Sequence, residues 1–206
     1  MKEFWDERYK QEIFVYGEQP NVFFKEVLEK LQPKGTILLP AEGEGRNAVF
    51  AAKSGLKVTC FDISEQGKIK ALKLAKSENV IIDYLVQNVA DLQFKENSFD
   101  VIAFIYAHFS VELKQQYYKE LTKYLKPNGL VIFECFSKKQ LQLNKENESS
   151  FGPKNIEMLF SKEEVASYFS DFDILQLEEV IIELEEGDYH KGKGSVIRFV
   201  GRKKAI

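Results

Sequence analysis

Leu38-Leu39-Pro40-Ala41-Glu42-Gly43-Glu44-Gly45-Arg46-Asn47-Ala48 joins a short apolar run to an alanine-rich one through a glycine turn. The run before it, Thr36 to Leu39, has the length and character of a strand. The run after it, Arg46 to Ser54, closed by Gly55, has those of a helix. Glycine at 43 and 45 permits a tight turn and lets a ligand approach the main chain where a Cβ would block it. Asp62, with Ile63 beside it, ends the next strand about 20 residues on, where a carboxylate meets a pair of ribose hydroxyls. Nicotinamide and adenosine cofactors both meet that description.

Outward from this turn, strands and helices alternate, which is the α/β signature. Lys57 to Phe61 reads as a second strand, and Ser64 caps a helix whose apolar positions Ile69, Leu72, Leu74 and Ala75 recur at helical spacing. Val80 to Val86 is a third strand, ending at Gln87-Asn88, and Phe99 to Ile105 a fourth, apolar but for Asp100 and so of the kind buried on both faces. Val111 to Leu125 is expected as a helix, stopped by Pro127 and Gly129, and Leu130 to Phe136 as the fifth strand. Then the rhythm breaks. A polar loop from Ser137 to Pro153 and a helix begun by Ser161, with Glu164 completing a capping box, lead to two long β runs. Ile174 to Glu185 and Ser195 to Gly201, joined by the turn Gly187 to Gly194, predict an antiparallel hairpin. Upstream of the sheet, Glu3 to Gln11 and Asn21 to Leu31 are expected as helices.

Composition narrows the function classes. The chain has 206 residues, 44% hydrophobic, which suits one domain with a real core and excludes extended disorder. Lys+Arg 29 against Asp+Glu 32 leaves no basic footprint for a nucleic acid, and the run Arg202-Lys203-Lys204 reads as a solvated end. No apolar run approaches the ~20 residues of a membrane span, and the opening MKEFWDERYK is too polar for a signal peptide, so a cytoplasmic protein is expected. Cys60 and Cys135 sit far apart in apolar runs and read as buried small hydrophobes rather than metal ligands. One oddity remains: Phe4, Trp5, Tyr9, Phe14, Tyr16, Phe23 and Phe24 all fall within the first 24 residues.

Three further motifs in order separate the cofactors: Gln87-Asn88-Val89-Ala90-Asp91 after the third strand, Ser98-Phe99-Asp100-Val101-Ile102 at the fourth, and Leu125-Lys126-Pro127-Asn128-Gly129 before the fifth. Together with the glycine turn they resemble the class I S-adenosylmethionine-dependent methyltransferases, over nearly the whole chain. The resemblance implies a Rossmann-like doubly wound α/β sheet of seven strands, order 3-2-1-4-5-7-6, with strand seven antiparallel. It implies S-adenosyl-L-methionine as cofactor, with Asn88 and the backbone of Val89 at the adenine, Asp62 at the ribose, and Gly43, Gly45, Asn47 and Tyr106 around the remainder. Two positions depart from the family pattern: Leu39 stands where an acidic residue is usual and Ala41 where the first glycine is usual. Glu42 is then the expected carboxylate for the methionine amino group.

Ligands of open α/β sheets bind outside the carboxyl ends of the strands, so the acceptor site is sought there. His108, in Tyr106-Ala107-His108-Phe109, follows the fourth strand, and Phe136, Ser137 and Gln140 follow the fifth. His190 lies in the turn between the last two strands, on the same edge, and Arg198 sits within an apolar stretch where it must pair with a carboxylate or an anionic ligand. The His-then-Arg arrangement resembles the TehB-type tellurite-resistance and thiopurine methyltransferases, which implies a small acceptor such as a thiol or chalcogen oxyanion. His108, His190 and Arg198 are the candidate catalytic residues. Residues 1–32 are expected to form a helical lid over a core of 33–206, with Tyr16 close to the sulfonium. An NAD(P)-dependent oxidoreductase and a non-catalytic cofactor-binding module are the alternatives.

Overall fold

The alternation of buried residues within each strand builds the molecule's three layers. A computed structural model describes residues 1–146 and 151–205. Its strands are β1 (Thr36–Pro40), β2 (Lys57–Asp62), β3 (Asp83–Val86), β4 (Phe99–Ile105), β5 (Leu125–Phe136), β6 (Phe172–Glu186) and β7 (His190–Lys203). They form one sheet of order β3-β2-β1-β4-β5-β7-β6, parallel except that β7 runs antiparallel to both neighbours. Ile37 and Leu39 of β1 point to one face, against α2 (Val22–Leu31), α3 (Arg46–Lys53) and α4 (Glu65–Ser77). Leu38 and the inward residues of β4, β5 and β7 point to the other, against α5 (Lys114–Thr122) and α7 (Lys162–Tyr168). Phe104, Phe133 and Phe199 on that second face are wholly buried. Each contributes about 2–3 kcal/mol by removal from water.

Helix starts follow the capping chemistry. The side chains of Asn21, Ser64 and Ser161 each accept a backbone N–H of the first turn, from Phe24, Gly67 and Glu164 respectively, and such caps contribute about 1 kcal/mol apiece. α1 (Lys2–Tyr9) lies upstream and packs on α4.

Several elements depart from the sequence-based expectation. The third strand begins only at Asp83, because the Val80 N–H closes α4 on the Ala75 carbonyl. α5 begins at Lys114, after the Ser110 carbonyl has accepted both the Leu113 and Lys114 N–H groups in a tightened turn. β5 already pairs at Leu125 with Phe99, and the register then shifts so that Pro127 lies in the irregular stretch. Within the expected polar loop, α6 (Gln140–Glu146) forms, supported by the four-apart side-chain pairs Gln140–Asn144 and Gln142–Glu146. Residues 147–150 of that loop lie outside the described residues. The hairpin turn is shorter than expected, from Gly187 to Tyr189, because β7 continues through Lys191 and Lys193. There it sets them opposite Glu185 and Glu183.

Candidate active site

The carboxyl ends of β1 to β4 and the start of β7 meet in one cavity of about 490 Å³. Along its floor, in sheet order, come Asn88 and Val89 after β3, Asp62 and Ile63 at β2, Glu42 and Asn47 at β1, and Tyr106 and His108 after β4. His190 closes the far end, while Trp5, Tyr9 and Tyr16 line the cavity from the N-terminal segment. Of the residues singled out in the sequence for the site, Gly43, Gly45, Phe136, Ser137, Gln140 and Arg198 do not line it.

At the glycine turn the carboxylates are held by the backbone. Asp62 Oδ2 accepts the Gly43 N–H at 3.0 Å and Oδ1 the Ser64 N–H at 3.0 Å, while burial pushes its pKa up to about 6. Glu42 Oε1 accepts the Ala48 N–H at 2.7 Å, and burial raises its pKa to about 7 against the opposing pull of that bond and of Arg46. Neither carboxylate has an ion-pair partner in the described structure. Packing also requires glycine at both positions. A Cβ on Gly43 would lie 2.6 Å from the Tyr9 hydroxyl, and one on Gly45 2.5 Å from the Ala71 Cβ of α4. Ala41 keeps the conformation of the glycine it replaces, with φ +52°.

Glu44, which the sequence reading passed over, fastens the N-terminal segment to the glycine turn. Its Oε2 accepts the backbone N–H of Val15 at 2.8 Å and of Tyr16 at 3.3 Å, and its Oε1 pairs with Lys70 at 2.6 Å. Asp6 of α1 accepts the Ser64 hydroxyl at 2.7 Å. Arg8 donates to the Tyr16 hydroxyl at 3.0 Å and lies 4.8 Å from the Tyr189 ring at the hairpin tip. Trp5 stacks on Tyr9 at 5.4 Å, so the aromatic cluster of the N-terminus forms one wall.

The hairpin end carries a buried polar network. Asn21 Nδ2 donates to Glu134 at 2.6 Å and to Glu186 at 3.0 Å. Glu186 also pairs with Arg46 at 2.9 Å and meets His190 Nδ1 at 3.2 Å. Burial alone would raise the Glu186 pKa, but Arg46 and His190 hold it down at about 2. Burial keeps His190 neutral in spite of that neighbour, because Arg46 already balances the carboxylate. With Nδ1 turned to Glu186, His190 has Nε2 for the cavity. Its ring packs on Tyr16 at 4.6 Å and Tyr106 at 4.8 Å.

Arg198 is corrected from acceptor contact to structural partner. Its Nε donates to the fully buried Glu134 at 2.6 Å, and its guanidinium lies 4.8 Å from the Phe23 ring. Glu134 within the apolar run Leu130 to Phe136 was the signal for this pair, since two charges in adjacent buried strands need each other. Ser137 and Gln140 likewise turn inward: their side chains bond the Ser195 hydroxyl at 2.7 Å and the Ser195 N–H at 2.7 Å, sewing the hairpin to β5. His108 does face the cavity. Burial, with His190 and Lys114 adding, lowers its pKa to about 4, so the ring is neutral at physiological pH. Among the described residues no cluster of His, Cys, Asp and Glu has the arrangement of a metal site, and no helix is long and apolar enough to cross a membrane.

Sheet order, terminal hairpin and cavity position define a class of protein. Residues 40–133 match the family model of a methyltransferase domain, and the sheet order is that of the Rossmann-like methyltransferase fold. Among curated proteins, the chain is 31% identical over 96 residues to a ubiquinone biosynthesis O-methyltransferase of Rickettsia akari (strain Hartford), covering 47% of this chain and 38% of that one. The chain thus spans well under half the length of that relative. Among solved structures, one concerning the conversion of a disulfide bond into a thioacetal group during echinomycin biosynthesis superposes with TM-score 0.72 at 19% identity, covering 99% of this chain and 92% of the other. TehB from Haemophilus influenzae superposes with TM-score 0.71 at 17% identity, covering 98% and 67%.

Proposed function

We propose that the protein transfers a methyl group from S-adenosyl-L-methionine to a small acceptor, a thiol, a chalcogen oxyanion or a similar nucleophile. The observation that carries this reading is the single cavity in which Asn88, Asp62 and Glu42 follow one another along the strand ends and lead to Tyr106, His108 and His190. The residues present suit the cofactor. Asn88 would meet the adenine and Asp62 the ribose hydroxyls, while Glu42, buried without a cationic partner, would meet the methionine ammonium.

When bound, the cofactor supplies an electrophilic methyl carbon whose bond to sulfur breaks as the acceptor attacks, the electron pair returning to sulfur. The protein's part is alignment, exclusion of water and, where the acceptor carries a proton, a base. His190, oriented through Nδ1 by Glu186 and neutral in its burial, is placed to receive that proton on Nε2. Residues 1–32 act as the cover, bringing Trp5, Tyr9 and Tyr16 over the cavity.

Calorimetric titration with S-adenosylhomocysteine and with NAD tests the reading. Micromolar binding of the first and none of the second is expected; the reverse would make the protein an oxidoreductase. Cofactor binding without methyl transfer to any thiol, selenide, tellurite, amine or phenol would favour a non-catalytic module, to which the Leu39 and Ala41 departures would then belong.

A further inference from the structure

Arg46 stands where a cation has no local reason to be. It opens α3 directly behind the glycine turn, and a helix N-terminus, with its unpaired N–H groups, favours negative charge over positive. Its side chain is nonetheless buried, only 8% exposed, on the wall of the cavity. Three bonds fix it there. Nη1 donates to the carbonyls of Tyr16 at 3.2 Å and Gln19 at 3.4 Å, and Nη2 donates to Glu186 Oε2 at 2.9 Å. That same carboxylate oxygen meets His190 Nδ1 at 3.2 Å, while Glu186 Oε1 accepts from Asn21. One oxygen is thus shared between a permanent cation and a group that can become one.

The sharing decides the charge of the imidazole. Arg46 cancels Glu186 and Arg198 cancels Glu134, which leaves no unbalanced carboxylate at the hairpin end to hold an imidazolium. The other groups facing His190 supply none. Tyr16 of the N-terminal segment and Tyr106 after β4 pack on its ring, and burial keeps both phenols protonated. The charges of Arg46 and of Arg8 in α1 oppose a proton on it, and His108 is itself neutral. Without the guanidinium, Glu186 would keep Asn21 and His190 as its partners among the described residues. A buried carboxylate left without a cation draws a proton onto the imidazole beside it. A base that already holds a proton cannot take one from an acceptor.

We infer that Arg46 is a positioning residue of the reaction: by setting a fixed positive charge on Glu186 Oε2, it lets that carboxylate orient His190 without charging it, and so keeps Nε2 able to take the acceptor's proton. This rests on the reading of His190 as the base and adds the group that keeps it one. As the acceptor atom bonds the methyl carbon and the carbon–sulfur electron pair returns to sulfur, the acceptor's proton passes to the Nε2 lone pair, and the imidazolium so formed returns it to solvent. Glu186 gives the ring its direction, and Arg46 gives the balancing charge. The carbonyls of Tyr16 and Gln19 hold the guanidinium on its oxygen, which makes the N-terminal segment part of the arrangement.

His108 and His190 are the chain's two histidines, so the imidazole signals of the full-length protein can be followed one by one. The test is an NMR titration from about pH 4 to about pH 9, with the His190 signals assigned by their loss in His190→Gln. In the unaltered protein His190 is expected to be neutral at about pH 7, with its proton on Nδ1, and to titrate below a free histidine. Arg46→Gln, checked for folding by circular dichroism, keeps a donor toward Glu186 and removes the charge. It should raise the proton affinity of His190 about tenfold, or one pH unit, and move His108 less. Arg46→Lys, which restores the charge, should return most of that shift. A His190 midpoint in folded Arg46→Gln within about twofold of the parent's overturns the inference. So does a rise as large in Arg46→Lys, which would assign the effect to lost packing. Should Arg46→Gln not fold, the unaltered protein still decides, because a His190 already charged at about pH 7 overturns the inference. Calorimetry with S-adenosylhomocysteine runs alongside: absence of binding overturns the methyltransferase reading and leaves the titration result standing.

Discussion

The two ends of the cavity hold their carboxylates in opposite ways. At the glycine turn, Glu42 bonds the N–H of Ala48, six residues on, and Asp62 bonds those of Ser64 and Gly43. At the hairpin, Glu186 is bonded by Asn21 and Arg46, and Glu134 by Asn21 and Arg198, across separations of 64 to 165 residues. The electrostatic consequence is large. Without an ion pair of their own, Glu42 is left by burial at about 7 and Asp62 at about 6, whereas Arg46 and His190 hold Glu186 at about 2, although burial still raises its neighbour Glu134. The turn thus keeps two carboxylates without an ion pair, as the proposed contacts to ribose hydroxyls and an ammonium group require. The hairpin end is internally neutral and positions other groups.

The strongest way to break this contrast is Glu186→Ala. It strands the buried Arg46 guanidinium, and urea unfolding should show a loss of about 3–5 kcal/mol. A loss below about 1 kcal/mol would mean that the network is solvated and the contrast false. Next in size is removal of residues 2–16, which takes away Trp5, Tyr9 and Tyr16 and empties the backbone-binding oxygen of Glu44. Calorimetry should then record S-adenosylhomocysteine binding weakened by about a hundredfold, close to 3 kcal/mol. Unchanged affinity would sink the role of this segment as a cover.

A third experiment sharpens the electrostatic half of the comparison. If Glu42 meets the ligand ammonium, its ionised form is the binding form, and the ionised fraction rises as pH climbs through about 7. Affinity for S-adenosylhomocysteine should therefore increase about tenfold between pH 6 and pH 8, and Glu42→Gln should flatten that rise. A profile in Glu42→Gln as steep as the parent's would assign the titration elsewhere. The smallest effect is expected at the turn's backbone. Ala41→Gly relieves a left-handed alanine at a cost of roughly 1–2 kcal/mol, offset in part by the greater freedom of glycine in the unfolded chain. A net gain of up to about 1 kcal/mol should appear as a modest rise in Tm; a fall would show that the Ala41 methyl packs usefully.

Legibility in the sequence divides along the same line. Asp62 and His108 were readable because each follows a strand end, and parallel strands bring all such ends to one edge; Asn88 and Glu42 came from the resemblance to the methyltransferases. Ser64 and Ser161 were readable because a cap is a bond within four residues. The packing demand at Gly43 and Gly45 was not, since the atoms that forbid a side chain there belong to Tyr9 and Ala71. Nor was the true task of Arg198, although its need for a carboxylate was. Choosing between Glu134 and a ligand required the register that sets the two residues opposite each other in β5 and β7. Glu186 and Arg46 carried no local sign of their pairing, lying 140 positions apart.

The sequence by itself determined the order of strands and helices, the glycine turn and the strand ends that line the cavity. These follow from periodicity, capping and turn chemistry, which act over a few residues. Tertiary structure alone decided which charges are neutralised, that Glu44 fastens the N-terminal segment at Val15 and Tyr16, and that His190 is held by Glu186. The physical reason is that burial sets the cost of every polar group, and burial is a property of segments that meet only once the sheet has closed over them.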